Sequence, residues 1–176
     1  MIQKLKTQDF DNVYRLMEQS FPPDERRTYT EQKSLLSNPQ YCIYILPDTA
    51  ASNIKAFLAV WTFKDFVFIE HFAVNPLYRN SGIGSAMLKE AVQQIPYMVC
   101  LEVELPVQET AKRRIGFYER NGFFLNHYPY MQPPISDGRS PIPLLIMTNQ
   151  NAISENRFQE IKNTLYKNVY HASDSM

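Results

Sequence analysis

The stretch YRNSGIGSAML at residues 78–88 places two of the chain's five glycines two positions apart. The residues before it indicate a strand over 66–74, and those after it have the apolar spacing of a helix over about 82–94. A loop that leads into a helix gathers backbone N–H groups without helical partners, at the positive end of the helix dipole. Glycines let a bulky anion approach that main chain. The stretch therefore predicts a phosphate-binding loop, with a simple turn as the alternative.

Two familiar phosphate-binding patterns do not fit this loop. A dinucleotide fingerprint has GxGxxG after the first strand of the fold, and a P-loop continues into GK[ST]. Neither pattern is present here. Arg79 adds a positive charge at the entrance of the loop, while Ser81 and Ser85 add hydroxyl donors. The loop thus indicates an anion site of another class.

Periodicity along the rest of the chain predicts elements in the order β-α-α-β-β-β-α-β-α-β-β-α. Antiparallel strands followed by β-α-β crossovers indicate an α/β fold with a mixed, mostly antiparallel sheet flanked by helices. A length of 176 residues suits one domain over residues 1–176. The predicted helices cover 7–20, 28–37, 82–94, 109–121 and about 154–170; the strands cover 1–6, 41–46, 54–63, 66–74, 97–105, 123–128 and 143–148; a turn covers 47–53 and a proline-rich loop 129–143.

The composition argues against several partners. Lysine and arginine number 18 and balance 18 aspartates and glutamates, so no general attraction to nucleic acid or to an anionic membrane is expected. No run approaches the ~18 apolar residues of a membrane span. Cys42 and Cys100 lie in apolar surroundings and are interpreted as reduced core residues. With no apolar signal segment at the N-terminus, the chain is predicted to be cytoplasmic. No His/Cys cluster has the spacing of metal ligands.

A second motif lies further along the chain. GFYERNGFF at residues 116–124 resembles the "LYEKLGF" helix end of the GCN5-related N-acetyltransferase (GNAT) family. Arg-x-x-Gly-x-Gly at 79–84, after a segment reading FAVNPLYR, resembles the pyrophosphate loop of the same family. The element order also matches over nearly the whole chain. The resemblance implies acetyl-CoA as donor, with no metal.

The resemblance also assigns residues to the coenzyme. The pyrophosphate would lie on backbone amides from about Asn80 to Ser85, and the pantetheine arm would lie like a short strand beside residues 72–74. Many members carry Asn-x-x-Ala-x-x-x-Tyr in the later helix, but Ala111 and Arg114 stand at the first two of these positions here. The basic face of this helix is either solvated or holds the 3′-phosphate through Arg113. The full set is Phe72, Ala73, Val74, Arg79, Asn80, Ser81, Gly82, Ile83, Gly84, Ser85 and Arg113.

Acetylation of an amine requires removal of a proton from the ammonium and protonation of the leaving thiolate. Tyr118 occupies the position of the family's general-acid tyrosine; otherwise it is a core aromatic. Glu102 resembles the strand glutamate that serves as base in ribosomal-protein alanine acetyltransferases. Glu70 lies near the corresponding residue of histone-type members. The base is left open between them, since each glutamate can instead form a salt bridge or line the acceptor site. Glu104 is a weaker third candidate.

The strand alternation predicts that His71 points to the face opposite Glu70.

Two segments are predicted to shape the acceptor pocket, although both can be ordinary surface loops. In residues 20–29, Asp24 and Glu25 are candidates to hold an amine, and Arg26 and Arg27 a carboxylate or phosphate. In residues 128–144, the stiff proline-rich segment would offer apolar walls. Those walls are Tyr128, Tyr130 and Met131.

The sequence therefore predicts an N-acetyltransferase that acts on a primary amine of a small molecule, amino acid or peptide, as a monomer or a homodimer. The alternative is a non-catalytic acyl-CoA-binding sensor or interaction module of the same fold. A nucleotide-phosphate binder that prefers ATP over CoA is a third possibility. The identity of the amine stays open.

Overall fold

The computed structural model describes residues 1–50 and 53–172. The chain divides into two compact units. The first unit contains Met1–Pro22 and Thr28–Val99, and the second contains Pro23–Arg27 with the chain from Cys100 onward. No helix in the described part of the chain combines the length and the apolar character that crossing a membrane requires.

Among the described residues of the first unit, four strands pair antiparallel in chain order. Its third strand is buried along most of its length, so it forms the centre of this unit's core. The strands are β1 (Gln3–Lys4), β2 (Tyr41–Asp48), β3 (Asn53–Thr62) and β4 (Phe66–Val74), and the helices are α1 (Phe10–Ser20), α2 (Tyr29–Ser34) and α3 (Ile83–Gln93).

Local sequence signals define α1 and α2 in different ways, α1 by an apolar stripe and α2 by a cap. α1 buries Phe10, Val13 and Met17 at 0% exposure, which is the one-sided pattern of an amphipathic helix. α2 follows a capping box, in which the Thr28 side chain accepts from the Glu31 backbone and the Glu31 carboxylate accepts from Thr28 N–H at 2.9 Å. These local signals explain why both helices were predictable.

A β-bulge interrupts the pairing of β3 with β4. Ala59 pairs with His71 and Val60 pairs with Ile69, so Glu70 is the extra residue on β4. A bulge breaks the alternation of side chains and redirects them locally. The position of this bulge matters because Glu70 is one of the two predicted bases.

The second unit contains the antiparallel strands β5 (Met98–Glu104, which enters the unit at Cys100), β7 (Ile142–Asn149) and β6 (Phe123–Gln132), in that spatial order. Its helices are α4 (Glu109–Arg120) and α5 (Glu155–Asn168). The register pairs Glu102 with Ile146, Tyr130 with Leu144, and Phe123 with Asn149. Since paired residues share a face and neighbours alternate, Glu102 and Tyr130 lie on one face and Phe123 on the other.

Some predicted boundaries are wrong. β6 continues through Pro129 to Gln132, so the first four residues of the predicted loop belong to a strand. β6 stands at the end of the strand order, where a proline removes no ladder hydrogen bond on the outer side. β2 likewise passes Pro47 to Asp48, at a register shift between Leu46 and Pro47. The predicted N-terminal strand is reduced to Gln3–Lys4.

Candidate active site

The glycine loop, residues 79–85, has a backbone that favours glycine at one position. Gly82 has φ +80° and is the cap residue of α3, while Asn80 has φ +61°. A Cβ built on Gly82 would meet no heavy atom within 4 Å beyond its chain neighbours. Gly82 is therefore required by its left-handed conformation and not by crowding. The loop surface beside it is open.

Neighbouring side chains hold this loop in place. The Asn75 side chain accepts from the Leu77 backbone at 3.1 Å and caps a 3-10 turn over Pro76–Tyr78. The Tyr78 hydroxyl donates to the Asp48 carboxylate on β2. The Ser81 hydroxyl donates to the Tyr78 carbonyl at 2.5 Å. The loop is thus anchored to the body of the first unit before α3 begins.

Arg79 is exposed, and its Nε donates to the Val74 carbonyl at 3.1 Å. This bond fixes the base of the side chain to the end of β4. Phe72, Ala73 and Val74 pair with Leu58, Phe57 and Ala56 of β3. Their predicted coenzyme contacts, like those of the loop, stay predictions.

The bulge on β4 brings Glu70 and His71 together. Glu70 Oε2 lies 3.4 Å from His71 Nδ1, and both side chains are 2% exposed. The ring of Phe21 packs edge-on against His71, with centroids 4.7 Å apart. The expectation that His71 points away from Glu70 is wrong, because the extra residue of the bulge interrupts the strand alternation.

Glu102 is the centre of a cluster in the second unit. The Tyr130 hydroxyl donates to Glu102 Oε1 at 2.5 Å. The Tyr170 hydroxyl lies 2.9 Å from Oε1 and 2.7 Å from Oε2. Glu102 lies on β5 and Tyr130 on β6, while Tyr170 lies two residues after the end of α5. We call this cluster the glutamate clamp.

Tyr118 has different surroundings. It is 7% exposed on α4 and packs against the rings of Phe117 and Phe123, at centroid distances of 5.2 and 5.7 Å. Burial raises the pKa of Tyr118 to about 12, partly opposed by the charge of Arg114. Because Tyr118 contacts Phe123, it lies against the face of the β5–β7–β6 sheet opposite Glu102. Because its pKa is raised, the Tyr118 phenol is protonated at neutral pH, as an acid must be.

The basic residues of α4 differ in their partners. Lys112 pairs with Glu109 at 2.9 Å, and Arg114 pairs with Glu104 at 3.4 Å. In the described part of the chain, Arg113 is exposed and has no such pair. Of these side chains, Arg113 is the one most available for an anionic ligand.

The segment at residues 23–27 has structural roles that the sequence did not indicate. Arg27 is 5% exposed, and its Nη2 donates to the Val169 carbonyl at 3.1 Å. Asp24 Oδ1 accepts from the Ser140 backbone at 3.1 Å. The interpretation of Arg27 as a free anion-binding group is therefore wrong, because its guanidinium is buried at the end of α5.

Sequence reasoning treated Tyr130 as an apolar wall and did not identify Tyr170. The structure places both hydroxyls on Glu102. Among the described residues, no group of three or more His, Cys, Asp or Glu side chains is placed to hold a metal ion.

Comparison with known proteins identifies the family. The model of the acetyltransferase (GNAT) family matches residues 10–123. The chain belongs to the GNAT acetyltransferase family. A Bacteroides thetaiotaomicron structure named as a GNAT-family acetyltransferase is 32% identical, with a TM-score of 0.88 over 98% of this chain and 99% of that one. The predicted fold class, a mixed sheet flanked by helices, is thereby confirmed.

Two further similar proteins carry more specific names. A Bacillus subtilis protein named as a ribosomal protein bS18-alanine N-acetyltransferase is 24% identical over 123 residues, which are 69% of this chain and 78% of that protein. A structure of an aminoglycoside 6′-N-acetyltransferase in complex with coenzyme A has a TM-score of 0.61 at 14% identity, over 85% of this chain and 96% of that one. The latter shares the fold alone.

Proposed function

We propose that this GNAT chain transfers the acetyl group of acetyl-CoA to a primary amine, with Glu102 as base and Tyr118 as acid. The observation that carries the proposal is the glutamate clamp, in a chain whose family is that of the acetyltransferases. A half-buried carboxylate that accepts two phenol hydrogen bonds is stabilised in the charged form, which a base requires.

The glycine loop fits the coenzyme's pyrophosphate. Gly82 opens the surface at the N-terminus of α3, where backbone N–H groups lack helical partners. Left-handed residues at 80 and 82 are typical of loops whose successive N–H groups bind anions. Arg79 would add a charge beside the loop, and Arg113 would meet the 3′-phosphate. Acetyl-CoA, when bound, supplies the acetyl group as a thioester.

The transfer assigns one proton to each predicted residue. Since Tyr118 and Glu102 lie on opposite faces of the β5–β7–β6 sheet, it requires the thioester to lie at the outer edge of β5, where groups from both faces can reach it. Glu102 takes a proton from the acceptor ammonium, which frees the nitrogen lone pair. The nitrogen then forms a bond to the acetyl carbon as the carbon–sulfur bond breaks. Tyr118 gives its proton to the leaving sulfur and recovers one afterwards. The ammonium loses two protons in all: one is balanced by the proton on the thiol, and the other reaches solvent.

Glu70 is the second candidate for the base. Both residues are half-buried, and the Glu70 side chain is 2% exposed and faces His71. A base must be held in a position from which it takes the proton, and we prefer Glu102 because two phenols hold its carboxylate.

The acceptor is proposed as a class. One relative is named as an N-acetyltransferase of alanine in a ribosomal protein. A peptide N-terminus is therefore the first amine to test, followed by a free amino acid and a polyamine. The same proposal describes the chain as one N-acetyltransferase domain over residues 1–176, cytoplasmic, and a monomer or homodimer.

The test measures acetyl-CoA binding by calorimetry and thiol release with each amine. Tyr118→Phe is expected to bind acetyl-CoA as the wild type does and to lose about 100-fold in turnover. Tyr97→Phe is the control, because Tyr97 is 43% exposed and none of the predicted site contacts involves it. It should keep full turnover.

Other outcomes point elsewhere. Acetyl-CoA binding without turnover on any amine would favour the non-catalytic acyl-CoA-binding module. Binding of ATP in place of acetyl-CoA would favour a nucleotide-phosphate binder. If neither ligand binds, the glycine loop is only a turn.

A further inference from the structure

The Glu102 carboxylate receives its hydrogen bonds from two distant parts of the second unit. Tyr130 is 28 positions away and Tyr170 is 68 positions away. Tyr130 donates to Oε1 at 2.5 Å, and Tyr170 is within 2.9 Å of both oxygens. Bonds at both oxygens from two directions restrict rotation of the carboxylate plane.

We propose that Tyr130 and Tyr170 are positioning residues, which hold the Glu102 carboxylate charged and in one orientation for taking a proton from the acceptor amine. The proposal rests on Glu102 being the base of the proposed function. It adds two residues to the reaction that act through Glu102 and do not touch the reacting atoms.

Each tyrosine is itself held by its surroundings. Tyr130 is 5% exposed and packs against the rings of Phe158 and Tyr166, at centroid distances of 6.3 and 6.0 Å. Tyr170 is 7% exposed, and its backbone N–H donates to the Leu165 carbonyl at 3.1 Å. A clamp whose donors are fixed loses little conformational entropy when it orders the carboxylate.

Arg27 supports the Tyr170 side of the clamp. Its guanidinium donates to the carbonyl of Val169, the residue just before Tyr170. A buried cation at the C-terminal end of a helix satisfies a carbonyl that has no helical partner. Residues 23–27 therefore contribute to the position of Tyr170, and through it to Glu102.

The ionisable groups around Glu102 respond to burial and to the charge of this carboxylate. Burial, followed by the charge of Glu102, holds the pKa of Tyr130 well above its ordinary value, so that phenol stays a donor. The same two causes raise the pKa of Tyr166, whose hydroxyl donates to the Met131 carbonyl. Burial raises the pKa of the Cys100 thiol. The charge of Arg157 partly opposes this rise in the pKa of Cys100, and Arg157 itself pairs with Glu160 at 2.8 Å.

Both tyrosines lie beyond residues 10–123, the part of the chain that the family model matches. The clamp therefore combines a glutamate from the family's common segment with donors from the C-terminal part of this chain. That origin explains why the family motifs did not indicate it.

The test follows the titration of Glu102 directly, so it needs no acceptor. The full chain is labelled with 13C at the glutamate carboxyls, and the Glu102 signal is assigned by its absence in Glu102→Gln. Tyr130→Phe and Tyr170→Phe should each raise the titration midpoint of Glu102 by about one pH unit. Tyr166→Phe is the matched control: it removes a neighbouring phenol whose hydroxyl is bonded elsewhere, and should leave the midpoint in place.

Several results would overturn the proposal. An unchanged titration midpoint of Glu102 in both clamp variants would contradict it. So would a shift of equal size in Tyr166→Phe. Loss of folding in both clamp variants, seen by thermal melting, would show that the hydroxyls serve stability alone. If only one variant folds, its midpoint decides.

Kinetics separate this proposal from the proposed function. If Glu102→Gln keeps full turnover, Glu102 is not the base and the proposed role fails, whatever the titration shows. If Glu102→Gln is inactive and Tyr170→Phe keeps the wild-type acid limb of kcat/KM, only the positioning role fails.

Discussion

The glycine loop and the glutamate clamp are built in opposite ways. The loop is one continuous stretch, mostly exposed, and its predicted ligand contacts come from the main chain. The clamp joins a half-buried glutamate to two buried tyrosines that are 28 and 68 positions away in the sequence. A main-chain site depends on local conformation, whereas a side-chain site depends on which elements pack together. The two regions therefore respond differently to substitution.

The largest expected effect separates the two candidate bases. Glu102→Gln should lower turnover by about 100-fold or more, because the amide cannot take a proton from the ammonium. Glu70→Gln should lower it by less than about tenfold. Initial rates of thiol release at saturating acetyl-CoA provide the measurement. If Glu70→Gln lowers turnover more than Glu102→Gln does, the base is Glu70 in the bulge on β4. As a control, acetyl-CoA affinity should be unchanged in both variants.

The next effect tests whether the loop acts through its backbone. Gly82→Ala places a side chain at φ +80°, which costs about 1–2 kcal/mol and should displace the loop amides. We expect acetyl-CoA affinity, measured by calorimetry, to fall by about tenfold or more.

Gly138→Ala is its control, because Gly138 has φ +75° and an equally open Cβ position. The control should show a similar loss of stability with unchanged affinity. Equal affinity losses in the two variants would remove the loop from the coenzyme site.

The buried phenol of Tyr118 predicts sensitivity to alkali. Its pKa of about 12 lies above the ordinary 10.0, so the unfolded chain releases this proton first as pH rises. The contribution of Tyr118 to the free energy of unfolding is thus fully present below about pH 10. It is lost between about pH 10 and 12, and the loss is about 1.4 kcal/mol at pH 11.

Between about pH 8 and about pH 11, urea unfolding should show a loss of stability that is smaller by about 1.4 kcal/mol in Tyr118→Phe than in the wild type, because the other buried phenols still contribute. Tyr97→Phe removes an exposed phenol and serves as control. A loss of the same size in Tyr118→Phe would mean that the phenol is not buried in solution.

The smallest effect concerns the 3′-phosphate. Arg113→Ala should weaken acetyl-CoA by about three- to fivefold, the size of an exposed charge pair, and leave the dephospho analogue unaffected. Arg114→Ala breaks the pair with Glu104 and should not distinguish the two ligands. If Arg113→Ala weakens both ligands equally, the basic face of α4 is only a solvated surface.

Much of the fold was predictable because its signals are local. The apolar stripe of α1, the capping box of Thr28 and Glu31, and the left-handed stop at Gly122 lie within a few residues of the elements that they define. The extension of β6 past Pro129 was missed, because a proline is acceptable only where the strand is at an edge. Edge position is a property of the assembled sheet.

The candidate site was predictable to a lesser degree. Gly82 was identified by its place between a strand and a helix, and its φ agrees with that reading. The contact of Glu70 with His71 was not predicted, because a bulge depends on how β3 and β4 pair. Tyr170 carried no signal at all, since only the packing of α5 brings its hydroxyl to Glu102.

The sequence by itself determined the family, the order of elements and the glycine that begins α3, because each depends on residues close together in the chain. Only the tertiary structure decided that Glu102 is held by Tyr130 and Tyr170 and that Arg27 is buried beneath the end of α5. Hydrogen bonds between side chains require atoms within about 3 Å. Such distances between remote positions are set by how strands pair and helices pack, which no local pattern of residues specifies.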